Sequence, residues 1–119
     1  MKALYDVVAL AERRGFPVIA GTEMNAPGQK FVDAFDADEL RPLAPAFLRG
    51  AYIVTAHTAL QRACGIGYLG PWADAGFKSI EAKNTFFEAA GRALRPGVDP
   101  RLSGVDAGVS PARLLERLQ

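Results

Sequence analysis

The sequence predicts a mostly helical α/β protein, the C-terminal portion of a larger α/β fold. Three observations carry this reading. Residues 17–21, PVIAG, are a continuous apolar run of strand length without alternation, the pattern of a strand buried on both faces of a parallel sheet. Apolar residues recur at helical spacing over most of the remainder, which gives five or six helices. A helix, a short loop and then a buried strand make the αβ half of a βαβ unit.

Taken in order, residues 2–14 read as a helix, with Leu4, Val7, Val8 and Ala11 on one face and Gly15 as its stop. The strand 17–21 comes next. "GQKFVDAF" suggests a short helix, and Asp36 with Glu39 resembles a capping box for "ADEL". Pro42 and Pro45 break the chain beyond it into short pieces. Between Gly50 and Gly65, the spacing of Ile53, His57, Leu60 and Cys64 favours a helix over the strand that Ile53, Val54 and Thr55 would permit. The glycine-rich "GIGYLGPWADAGF" reads as a packed loop anchored by Trp72. Ser79 caps a helix to about Leu94, with Ile80, Phe86, Phe87, Ala90 and Leu94 on its buried side. "RPGVDPRLSGVDAGVS" is a loop, and Ser110-Pro111 opens a last helix, Ala112 to Leu118.

A single buried strand cannot satisfy its own backbone groups. Its partner is an unrecognised strand, another chain, or a segment upstream of Met1. The first helix begins almost at Met1 without a cap, which favours the last. The expectation is one domain over 1–119 that is itself a fragment: an αβα end at 1–35 and a helical C-terminal region at 36–119. Its partners are then the missing N-terminal segment, or a second copy through the strand edge.

Composition excludes several classes. Half of the 119 residues are hydrophobic and 23% are charged, so a packed core is expected. A net charge of +1 gives no electrostatic footprint for nucleic acid or an anionic membrane. Cys64 is the only cysteine, so no internal disulfide forms, and a reducing, cytoplasmic compartment is expected. No apolar stretch reaches the ~18 residues of a membrane span, and charges interrupt the N-terminal apolar run as they would not in a signal peptide.

Sites in parallel α/β folds gather at the carboxyl ends of strands. Glu23 stands just past PVIAG, where a carboxylate serves as metal ligand or general base. Asn25, and Gln29 beyond the Pro27-Gly28 turn, are the candidate substrate-binding residues. Thr22, Glu23 and Asn25 equally suit an ordinary turn. His57, the only histidine, is the second catalytic candidate; its competing role is an interior histidine held by a hydrogen bond. Cys64 reads as a structural thiol. Lys78, Glu81 and Lys83 read as a solvated face.

Over roughly residues 1–95 the chain resembles the C-terminal part of an uncharacterised bacterial family similar to PHP-type metal-dependent hydrolase barrels. The resemblance rests on Gly21-Thr22-Glu23-Met24-Asn25, Gly28-Gln29-Lys30 and His57-Thr58. It implies a distorted β/α barrel, with residues 1–35 at its end, divalent metals held at strand ends, and Glu23 as one ligand. The H-x-H and D-x-H pairs of such a family are absent, and a chain with one histidine assembles no such cluster alone. The leading expectation is therefore part of a metal-dependent hydrolase acting on a small-molecule substrate, its metal completed by the full-length parent. The competing expectation is a non-catalytic helical interaction or structural module that pairs its strand with a partner chain.

Overall fold

The computed structural model describes residues 2–21 and 37–119. Among them every regular element is helical and none is a strand. Over the described residues the fold is all-α, which overturns the α/β and β/α-barrel expectation. Contacts divide the chain into two compact units, Met1–Gly50 and Ala51–Gln119.

In the first unit, α1 runs Lys2–Arg14. Its end is a Schellman arrangement. Gly15 takes a left-handed φ of 73°, Gly15 N–H donates to the Glu12 carbonyl at 3.1 Å, and Phe16 N–H donates to that of Ala11 at 2.9 Å. Arg13 and Arg14 in the last turn complement the helix dipole.

The predicted strand fails in the next segment. PVIAG forms no ladder, and Ile19 is 64% exposed, not buried on two faces. The Val18 backbone instead lies against Gly50, where an added Cβ would stand 1.7 Å from the Val18 carbonyl oxygen. An apolar run is a strand only if a neighbouring strand takes its N–H and C=O groups. Here it meets the side of a helix.

A short 3₁₀ turn, Arg41–Leu43, leads into α2, Ala44–Cys64, of 21 residues. Pro42 and Pro45 do not break this region as the sequence suggested. Each falls in the first turn of its helix, where the missing N–H has no partner to lose. Ile53, Val54 and Thr55 are helical within α2, so its continuous helical frame overrides their β preference. Gly65, with φ of 69°, ends it.

In the second unit, the core gathers Ile53, Ala56 and Leu60 of α2, Ile66, Ala73, Phe86, Phe87 and Ala90, and Leu102, Leu114 and Leu118. The glycine-rich connector is not all loop, because Pro71 opens α3, Pro71–Gly76. Ser79 caps α4, Ile80–Ala93, by accepting the Ala82 N–H at 3.1 Å. Ile80, expected inside, is exposed at the first helical position. Phe87 is fully buried, with Phe86 edge-on at 5.3 Å, Tyr68 at 5.3 Å and Trp72 at 6.5 Å between ring centroids. Trp72 donates its indole N–H to the Val109 carbonyl at 2.7 Å, which anchors the connector as its sequence suggested. Gly91 of α4 meets the α2 backbone, since a Cβ there would lie 2.0 Å from the Tyr52 carbonyl oxygen. Ser110 caps α5, Pro111–Leu118, which packs on α4 through Leu114 and Leu118. No helix among the described residues is long and apolar enough to cross a membrane.

Candidate functional site: a cleft beside the second helix

Glu23, Asn25 and Gln29, the strand-end candidates, lie outside the described residues, as do the short helix expected at "GQKFVDAF" and Asp36 of the expected capping box. The strand that was to present them is replaced by irregular chain. Among the described residues no three His, Cys, Asp or Glu side chains come together as a metal site.

His57 is described, and it faces the connector. The connector brings the Tyr68 amide onto the ring, and Tyr68 N–H donates to His57 Nδ1 at 2.9 Å. A Cβ at Gly67 would stand 2.6 Å from Gln61 Oε1 and 2.8 Å from the His57 ring, so a larger residue there would have to displace these side chains. The Tyr68 hydroxyl donates to Asn84 Oδ1 at 2.5 Å, and Asn84 is buried. Lys83 Nζ sits 4.0 Å from the centre of the Tyr68 ring and donates to the Tyr68 carbonyl at 3.3 Å. Lys83 is thus half-buried on an aromatic face, not merely solvated as expected. The imidazole nitrogen that a general base would use already accepts a backbone proton.

Cys64 lies two helical turns beyond His57, about 10 Å along the axis at 1.5 Å per residue. Its sulfur is 3.9 Å from the Leu102 carbonyl. Burial pushes the thiol up, partly offset by the charge of Arg117, so the group is a poor nucleophile.

The concave feature that stands apart from these contacts is a cleft of about 580 Å³. One wall is the α2 stripe of Val54, Thr55, Thr58 and Arg62, at spacings of three, four and seven residues. The other is the segment after α4, where Leu94, Arg95, Val98 and Leu102 line the space. That segment is shaped by Asp99. Its carboxylate accepts the Arg95 N–H and the Arg101 N–H, each at 3.0 Å. Pro100 then starts a 3₁₀ turn, Pro100–Leu102, and Gly97 supplies a left-handed φ of 77°.

Arg101 closes the structure from behind. Its guanidinium donates twice to Asp99, once to the Ala93 carbonyl at 2.7 Å and once to the Leu118 carbonyl. Two helix C-termini thereby receive a cation where the dipole favours one. The hydrogen bond from Arg101 holds Asp99 far below the usual carboxylate range despite burial, and the backbone donors add to this. The same contact raises Arg101. The negative charge at the cleft is therefore taken up, whereas Arg62 and Arg95 form no ion pair among the described residues.

Sequence reading missed this feature because "RPGVDPRLSG" looks like undirected loop. The available signal was Asp99-Pro100-Arg101, an aspartate cap followed by proline at the first helical position. Comparison with family models, with curated proteins and with solved structures gives no match.

Proposed function

We propose that the chain is a non-catalytic helical interaction module, and that the Ala51–Gln119 unit offers the cleft beside α2 to a partner. The observation that carries the reading is the cleft itself: about 580 Å³, with apolar side chains at its mouth, Val98 being 90% exposed. Its volume lies within the ~300–1,000 Å³ of ligand-binding clefts. Among the described residues, His57 Nδ1 holds a backbone amide and Asp99 is gripped by Arg101. The strand-pairing mode of interaction is withdrawn with the strand.

The test is a panel of short peptides that share apolar residues and differ in acidic, neutral or basic flanks, titrated into the isotopically labelled protein. Amide shifts clustered at Thr55, Thr58 and Val98 for any member support the reading. Silence there to every member overturns it.

A further inference from the structure

We infer that the occupant of this cleft is an acidic, apolar peptide segment, one that carries carboxylates beside leucine-like side chains. The inference rests on the interaction reading above and narrows it to one chemistry.

Charge complementarity points this way. Arg62 on α2 and Arg95 after α4 border the same cleft from opposite walls. Neither makes an ion pair among the described residues. The carboxylate lining the cleft, Asp99, is saturated by the Arg101 guanidinium and two backbone amides, so it does not neutralise them. An incoming carboxylate thus meets two guanidiniums, the side chain best suited to grip it in bidentate fashion and the least costly cation to desolvate. Between the arginines the surface is apolar, with Val54 and Val98 exposed and Leu94 half-buried. The Thr58 hydroxyl on the α2 wall is open to pair a peptide amide or carbonyl. A basic segment would place like charges together, which costs affinity and slows encounter.

The experiment uses the full chain with two probes, a short peptide alternating leucine and glutamate and its leucine-lysine counterpart, monitored by amide shifts and calorimetry. The glutamate peptide binds at the cleft at least about tenfold more tightly than the lysine peptide, a difference of ~1.4 kcal/mol. Arg62→Glu and Arg95→Glu each weaken it about tenfold, and added salt weakens it further. Arg62→Gln and Arg95→Gln give smaller losses in the same direction, and unchanged thermal melting confirms that the variants are folded. Equal binding of both peptides at the cleft, or charge reversal without effect, overturns the acidic occupant and leaves the interaction module standing. Silence of the cleft amides to the whole panel overturns both.

Discussion

Arg101 holds Asp99 through two parallel hydrogen bonds, Nε to Oδ1 at 3.0 Å and a terminal nitrogen to Oδ2 at 2.7 Å. The aspartate side chain is almost wholly buried and that of the arginine a quarter exposed. Such a pair contributes little by existing but costs much when halved, because the remaining charge is left without its partner. Here it also carries the loop, since the same carboxylate receives two backbone amides.

Asp99→Asn keeps the shape but loses the charge and one acceptor oxygen. It should lower the melting temperature by about 10 °C, as a loss near 2 kcal/mol does in a domain of this size. The pH dependence takes its sign from the shift. Asp99 is held below its unfolded value near ~3.9, so its contribution is present above that pH and fades as pH falls below it. Acid melting of wild type should steepen below about pH 4, and Asp99→Asn should flatten that dependence. Parallel acid dependence in the two proteins would show that the pair does not govern it.

His57→Leu should remove the acceptor of the Tyr68 N–H and cost about 1–3 kcal/mol. His57→Gln, which can still offer an oxygen, should lose less. Denaturant unfolding of both variants checks the order. If both variants lost nothing, the hydrogen bond would be structurally idle.

Gly91→Ala should be the harshest single-methyl change in the second unit. The new Cβ would meet the Tyr52 carbonyl oxygen at 2.0 Å and its carbon at 2.6 Å, and a backbone cannot swing aside as a side chain can. Overpacking of this kind costs about 3 kcal/mol, more than the gain in helix propensity returns. Thermal melting reads the result, and a variant as stable as wild type would mean that the two helices part easily.

The helices were legible because their signals are local. Gly15 and Gly65 stop helices with positive φ, and Ser79 and Ser110 cap two later ones, as the sequence indicated. The buried positions Phe86, Phe87 and Ala90 were evident from spacing alone. The α/β class did not survive, because PVIAG shows only that a segment is apolar, whereas a strand depends on distant chain to pair with. The proline reading failed for a related reason: Pro45 breaks a helix or begins one according to where the first turn falls. Of the candidate site residues, His57 is placed against the connector, and Glu23, Asn25 and Gln29 fall outside the described residues. The cleft was illegible because Arg62 and Arg95 are 33 positions apart in the chain, and only the packing of α4 on α2 brings them to one surface.

The grip of Arg101 on Asp99, Ala93 and Leu118 has a consequence for the energetics of recognition. The segment from Leu94 to Leu102 is tied at its base to the ends of two helices, so one wall of the cleft is held before any partner arrives. A binding surface that is already ordered does not spend association energy on freezing a loop, a cost of about 0.5–1.5 kcal/mol for each flexible side chain that must be immobilised. Encounter then proceeds as the docking of a preorganised body, with backbone shifts of ~1 Å or less. Loosening the grip would make the same cleft slower to engage even though none of the residues touching the partner had changed.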